Sequence, residues 1–334
     1  MSGPYPVGRP TDHFDGLRFF NPGEPGTDRT LTEVLRWKLA RRQVPWPRSV
    51  SIEQTVPARR VEGLRVTMVG HATLLIQTSD LNVLTDPVWS ERVGPLRSVG
   101  PKRVTAPGVA FDDLPPIDVV LLSHNHYDHL DLATLGRLHQ RDAPLILTPL
   151  GNDAIVRRAV PAARIITGDW GDRFELGPGA EAHIVPANHW SWRDLRDRRK
   201  ALWGGFMVRT SAGLTYFAGD TGYGTGRIFR DMRERYGAPD LALIPIGAYA
   251  PRWFMSAQHC DPGEAVRIML DLQARQAIGI HWGTFNLTDE AREDPIRRLA
   301  SALLALGVDQ DRFEAGAPGV AHDAWPAGAP SRRV

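Results

Sequence analysis

The sequence predicts an α+β fold in which two sheets carry helices on their outer sides. Three observations lead there. From residue 61 the chain offers short apolar runs of strand length, separated by tight turns. The first runs follow one another directly, and later ones alternate with helical stretches, an order that suits two sheets covered by helices. No short-period repeat and no linker-like stretch interrupts residues 61–310.

The elements follow in order. In residues 1–60, rich in Pro and Arg, the one helix candidate runs from Leu31 to Arg42, opened by the capping-box pair Thr30 and Glu33. Leu31, Val34, Leu35 and Leu39 share one face, with Arg36, Trp37, Lys38, Arg41 and Arg42 around the rest. Such a helix either docks on its own core or lies on anionic lipid headgroups. Strands are expected over 64–69, 72–77, 81–85, 117–122, 144–148, 164–166, 182–186, 205–209, 215–218, 241–245 and 277–280. Helices are expected over 131–141, 153–160, 227–236, 261–274 and 295–306, the fourth with Pro262 in its first turn. The chain thus divides into an extension (1–60), a main domain (61–315) and an irregular Ala/Gly/Pro-rich tail (316–334).

Bulk properties exclude several classes. The 334 residues are 42% hydrophobic and 23% charged, which is globular composition. A net charge of +2 gives no reason to expect nucleic acid. The single cysteine, Cys260, permits no internal disulfide and reads as an inert packed thiol. The first residues lack the apolar core of a secretory signal, and no run approaches the roughly 20 apolar residues of a membrane span. A cytoplasmic protein, at most peripheral to a membrane, is expected.

The chemistry is concentrated after the run Ile117–Leu122. There His124-Asn125-His126-Tyr127-Asp128-His129 reads H-x-H-x-D-H at the mouth of a buried strand. Imidazole and carboxylate at this density suit zinc and similar divalent ions. The spacing suggests two ions, with further ligands from elsewhere in the chain. His189, Asp220 and His281 each stand just past a short apolar run, where a side chain projects from a sheet's end into a cleft.

These residues, with Val69-Gly70-His71-Ala72-Thr73, Thr85-Asp86-Pro87-Val88, Gly100-Pro101-Lys102-Arg103, Phe217–Tyr223, the run 244–264 and Ile280–Phe285, resemble the metallo-β-lactamase superfamily. Within it they are most similar to the N-acyl-phosphatidylethanolamine-hydrolysing phospholipase D branch. The resemblance covers roughly residues 61–310 and implies a four-layer αββα sandwich with the site at one edge. It implies that His124, His126 and His189 hold one zinc ion, that Asp128, His129 and His281 hold a second, and that Asp220 bridges them. Asp86 is implied as an orienting residue behind the ligands. A homodimer is suggested by the resemblance alone.

Other residues carry open readings. His71 reads as a buried structural histidine or as a group behind the site. His259, beside Gln258 and Asp261, reads as the group that orients or protonates a phosphate ester, or as a helix N-terminal turn residue. Asp128 and His259 are accordingly the catalytic candidates. Tyr249, Arg252, Trp253 and Trp190 are candidate substrate contacts, offering a guanidinium beside apolar surface; core packing is the alternative for Trp253, Phe254 and Met255. The charged run Arg193–Lys200 reads as a solvated face.

The expected activity is a metal-dependent phosphodiesterase of phospholipase D type. A hydroxide held between the ions attacks phosphorus, releasing phosphatidate and an N-acylethanolamine. Zinc is the default metal; manganese, iron and nickel also accept this donor set. A lactonase or a soluble nucleotide phosphodiesterase on the same scaffold is the alternative, and a non-catalytic lipid-binding protein is the reading from another class.

Overall fold

Alternation of buried faces explains the architecture. In Leu241–Pro245, Leu241 and Leu243 enter one apolar cluster while Ala242 and Ile244 enter another. In Val119–Leu121 and the residue beyond, Val119 and Leu121 again separate from Val120 and Leu122. A strand buried on both faces must lie in a sheet covered on both sides.

The computed structural model describes residues 5–41, 44–96, 98–194 and 196–324. Its strands are β1 (Arg65–Gly70), β2 (Thr73–Gln77), β3 (Asn82–Thr85), β4 (Val119–Leu121), β5 (Leu145–Pro149), β6 (Arg164–Gly168), β7 (Arg173–Gly177), β8 (Ala180–Val185), β9 (Gly205–Thr210), β10 (Gly213–Phe217), β11 (Leu241–Pro245), β12 (Gln276–Ile280), β13 (Phe313–Ala315) and β14 (Ala321–Asp323). Its α-helices are α1 (Leu31–Ala40), α2 (Leu132–Asp142), α3 (Asp153–Ala159), α4 (Arg227–Tyr236), α5 (Arg252–Met255), α6 (Pro262–Leu272) and α7 (Asp294–Ala305).

The strands form two seven-stranded sheets, ordered β14-β1-β2-β3-β4-β5-β6 and β13-β12-β11-β10-β9-β8-β7. In each, one half pairs antiparallel and the other half, β3 to β6 or β10 to β13, pairs parallel. The cluster containing Val66, Met68, Leu121, Phe206, Leu243 and Ile280 fills the space between the sheets. Leu135, Leu138 and Val156 of α2 and α3 cover the outer face of the first sheet. Phe229, Ile268, Met269 and Leu303 of α4, α6 and α7 cover the outer face of the second. The result is the expected α+β sandwich of four layers, αββα. Functional side chains belong at the carboxyl ends of the parallel strands, where a crevice opens between layers.

Three strands were not foreseen. β7 alternates exposed and half-buried positions, so it has no apolar run to mark it. β13 and β14 are three-residue strands, held by backbone pairing to β12 and β1. The tail expected to be irregular from 316 therefore contributes an edge strand at Ala321–Asp323, and Gly319 N–H donates to the Met68 carbonyl at 2.8 Å. Residues 325–334 of that tail lie outside the described residues.

Helix α1 begins as expected, with Thr30 and Glu33 forming both halves of the capping box, and ends at Ala40; Arg42 lies outside the described residues. It has no buried residue. Its inner side is held by Trp37, which stacks on Phe254 at 4.8 Å and donates from Nε1 to Asp289 at 3.0 Å. Leu31, Leu35 and Leu39 face outward, 88%, 56% and 79% exposed.

Candidate metal centre

Two clusters of ligand-capable atoms meet at the carboxyl ends of the strands. His124, His126, His189 and Asp220 form one; His71, Asp128, His129 and His281 form the other. Within each group the donor atoms lie within 4.8 Å of one another. Strand β4 delivers the H-x-H-x-D-H loop, β8 delivers His189, β10 Asp220 and β12 His281. Strand β1 delivers His71 and β3 delivers Asp86. All seven candidate ligands named from the sequence are thus brought together.

Asp220 stands between the clusters. Its Oδ2 is 3.2 Å from His129 Nε2 and 3.6 Å from His189 Nε2, while its Oδ1 is 3.2 Å from His281 Nε2. Gly219, at φ +59°, makes this approach possible: a Cβ there would fall 2.6 Å from the Ser123 Cβ.

Hydrogen bonds behind the rings decide which nitrogen faces the centre. Asp86 accepts from Ser123 N–H (2.7 Å), Ser123 Oγ–H (2.6 Å) and His129 Nδ1–H (2.6 Å). The Ser123 hydroxyl, its proton given to Asp86, accepts from His124 Nδ1–H at 2.9 Å. His189 Nδ1–H donates to the Gln258 carbonyl at 2.9 Å. His71 Nε2–H donates to Asp128 Oδ2 at 3.0 Å. His124, His129 and His189 therefore turn Nε2 inward; at His124 and His189 it is unprotonated, and at His129, where burial opposes the charge but Asp220, Asp128 and Asp86 raise the imidazole well above its ordinary value, a bound cation would take the place of the Nε2 proton. His71 and Asp86 both stand behind candidate ligands, as expected for Asp86 and as one of two readings for His71.

The electrostatics favour a cation. Burial lowers His126 to about 3 and His189 to about 4, and holds His124 well below the ordinary imidazole value, so these rings are neutral. Burial opposes ionisation of Asp128 and Asp220, but the surrounding imidazoles, His129 foremost, hold both well below the usual carboxylate range. His124 Nε2 and His189 Nε2 crowd His126 Nδ1 at 2.9 and 3.2 Å, although one proton at most can lie among these three atoms. His129 Nε2, His281 Nε2, His259 Nδ1 and Asp220 Oδ1 are buried and make no well-formed hydrogen bond, although Asp220 oxygens lie 3.2 Å from both His129 Nε2 and His281 Nε2. Orphaned lone pairs at this density are costly unless a metal satisfies them. The residues present fit bound divalent ions.

Around the clusters the outcome is mixed. His259 Nδ1 lies 3.9 Å from Asp220 Oδ2, and burial holds its imidazole well below the ordinary value. Trp190 sets its ring edge-on to His126 at 5.1 Å and stacks on Trp192 at 6.0 Å, giving an aromatic wall from the centre outward. Trp253 is 43% exposed, with the Arg36 guanidinium over its ring.

Two expected substrate contacts are elsewhere. Tyr249 is buried, and its hydroxyl donates to Asp294 Oδ2 at 2.6 Å on the α7 side. The Arg252 guanidinium is committed to the His259 carbonyl (2.7 Å) and to Glu264 (2.6 Å), so it braces the turn that carries His259. Their partners follow 7 to 45 residues later, so no local pattern marks either side chain as engaged. In the run Arg193–Lys200, Arg193 is not solvated: its Nη1 donates to the Asn125 and Leu130 carbonyls, pinning the metal loop from behind. Leu195 of that run lies outside the described residues.

Comparison with known proteins agrees with this geometry. A family model described as a beta-lactamase superfamily domain matches residues 81–282. The N-acyl-phosphatidylethanolamine-hydrolyzing phospholipase D 1 of Caenorhabditis elegans is 35% identical over 294 residues, 81% of this chain and 82% of that protein. The mitochondrial protein of the same description from Saccharomyces cerevisiae is 34% identical over 251 residues, 74% of this chain and 53% of its own. Among solved structures, an isothiocyanate hydrolase from Delia radicum gut bacteria superposes with a TM-score of 0.62 at 21% identity, covering 79% of this chain and all (100%) of that one.

Proposed function

The chain belongs to the metallo-β-lactamase superfamily, in its N-acyl-phosphatidylethanolamine-hydrolysing phospholipase D-like branch, and from that premise we propose that this metal-dependent hydrolase cleaves a phosphodiester of an N-acyl-phosphatidylethanolamine or related phospholipid. The observation that carries the reading is Asp220, whose two oxygens reach into both histidine clusters. We assign His124, His126, His189 and Asp220 to one ion, and Asp128, His129, His281 and Asp220 to the other. Zinc is the metal this donor set suits first.

Bound ions would supply a water ionised near neutral pH and would offset charge on the phosphoryl oxygens. The chain does the rest. Asp86 and Ser123 hold His129 and His124 in the required tautomers. His71 fixes the Asp128 carboxylate. Hydrolysis joins a water oxygen to phosphorus and breaks the bond between phosphorus and the ethanolamine oxygen; one of the water's protons ends on the departing oxygen and the other stays with the phosphatidate. His259 stands beside Asp220 to receive that leaving group. Because burial keeps its ring neutral, it acts as an N–H hydrogen-bond donor and not as a stored proton. The Trp190–Trp192 wall offers apolar surface to the lipid.

Lipid access is assigned to α1. The exposed Leu31, Leu35 and Leu39 form one stripe at i, i+4 and i+8, flanked by Arg36 and Lys38. An apolar stripe with basic neighbours suits an anionic membrane surface. No helix among the described residues is long and apolar enough to cross a membrane, so contact would be peripheral.

Purified protein assayed against a chromogenic phosphodiester, a lactone and an N-acyl phospholipid in mixed micelles tests the reading. Phosphatidate release from the phospholipid is expected, abolished by chelation and restored by zinc. Turnover of the lactone alone would refute the phosphodiesterase assignment. Unchanged turnover in His259→Ala would remove that residue from the reaction.

A further inference from the structure

Residues 5–60 look like an appendage in the sequence, yet one of them holds a candidate metal ligand. The Asn21 side-chain amide donates from Nδ2 to the His189 carbonyl at 2.8 Å, across 168 positions of sequence. Its Oδ1 accepts from Trp203 Nε1 at 3.1 Å. That indole is buried and also donates to the Ala187 carbonyl, two residues before His189, at 2.9 Å. The Asn21 carboxamide serves both neighbours: its N–H satisfies the His189 carbonyl, and its oxygen shares the Trp203 indole N–H with the Ala187 carbonyl.

The strap that delivers Asn21 is itself anchored. Phe14 and Phe19 are buried against Ala187, Leu202 and Trp203. Phe19 N–H donates to the Arg199 carbonyl at 2.8 Å. The far side of His189 is gripped as well. Its ring donates to the Gln258 carbonyl, in the turn after α5, while Arg29 of the strap donates twice to the Phe254 carbonyl of α5, at 2.7 and 3.0 Å. The segment from Phe14 to Arg29 thus braces the His189 backbone on one side and the turn that orients its ring on the other.

We infer that Asn21 is a positioning residue for His189, and that the N-terminal strap is part of the scaffold of one ion's site. The inference rests on the two-ion reading and on nothing about the substrate. Partners behind a metal ligand typically contribute about 10–100-fold to metal affinity. Asn21 fixes the ligand's backbone and not its ring, so the lower end, about tenfold, applies.

The test uses full-length protein stripped with a chelator. It is titrated with Zn2+ against a chromophoric competitor, and with Co2+ followed by visible absorption. Asn21→Asp keeps the acceptor for Trp203 and loses the donor to His189; Asn21→Ala loses both. Glu24→Ala removes a different strap contact, the bonds that the Glu24 carboxylate accepts from Thr225 N–H (3.0 Å) and Oγ1–H (2.6 Å). Wild type is expected to show two dissociation constants. Both Asn21 variants should weaken one about tenfold and alter the cobalt spectrum of that site, with the apo-protein melting temperature little changed. Glu24→Ala should move neither constant. Two unaltered constants in the Asn21 variants, or an equal loss at both ions shared by Glu24→Ala, would overturn the inference. Wild type binding fewer than two ions would instead overturn the two-ion reading beneath it.

Discussion

Helices α1 and α6 begin alike and end in opposite environments. Each opens with a full capping box, Thr30 with Glu33 and Asp261 with Glu264. Each is amphipathic and of similar length, 10 and 11 residues. Yet α6 buries Pro262, Ala265, Val266, Ile268, Met269 and Leu272, while α1 buries nothing. Local signals specify that a helix forms and where it starts; they do not specify what its apolar face meets. In α6 that face is covered by the second sheet, α4 and α7. In α1 it is divided: Trp37 turns inward to Phe254, and the leucine stripe stays outside. A helix of this length is marginal alone in water, so α1 is held by its anchors, including the Arg41 pair with Asp289 at 2.9 Å. Folding leaves its leucine face in water.

Stability should separate the two helices most strongly. Ile268→Ala in α6 should lower global stability by about 2–5 kcal/mol, measured by denaturant unfolding. The triple replacement Leu31→Ser, Leu35→Ser, Leu39→Ser should change each site's stability by about 0.5 kcal/mol or less. A large loss there would mean that α1 packs on something other than lipid. In flotation with anionic vesicles the same triple variant should bind roughly tenfold or more weakly, since even partial burial of three leucines contributes that much. Equal flotation would sink the membrane assignment.

The caps give a finer contrast. Removing either N-cap, by Thr30→Ala or Asp261→Ala, should cost about 1 kcal/mol. For α6 the loss should appear in global unfolding. For α1 it should appear as faster hydrogen exchange of residues 31–40 with an unchanged melting temperature, because α1 opens locally.

The smallest effect concerns pH. His13, in the strap, lies between Asp12 (2.6 Å) and Asp169 (2.7 Å). Burial disfavours its charge, but Asp169 and Asp12 outweigh burial and raise its pKa. A raised imidazole pKa adds stability that is complete below the unfolded value of about 6.5 and fades as pH rises through the folded value. Exchange of residues 5–20 should therefore quicken above neutral pH beyond its intrinsic rate, and His13→Gln should remove that dependence. An identical profile in the variant would show that the clasp is not titrating.

The site was more legible than the surface around it. His124, His126, Asp128 and His129 lie within six positions of one loop, and His189, Asp220 and His281 each stand just past an apolar run, so strand-end position exposed them. Asp86 and His71 also follow strands, and both support candidate ligands. Asn21 had no such mark. It lies in a Pro- and Gly-rich stretch, and its role exists only because the strap packs against the segments that leave β8 and enter β9. Tyr249 and Arg252 erred the other way: their residue types suit a lipid headgroup, but Asp294 and Glu264 had already claimed them.

The sequence by itself determined eleven of the fourteen described strands, the starts of six of the seven described α-helices and the set of imidazoles and carboxylates, because periodicity, capping and strand-end polarity are local properties. Only the tertiary structure decided how those groups are used. Which nitrogen faces the centre depends on Asp86, Ser123 and Gln258; which arginine is free depends on partners from other elements; which helix face stays in water depends on what the chain places over it. Each is settled by contacts between distant segments, and a hydrogen bond or a buried face exists only once both of its partners have arrived.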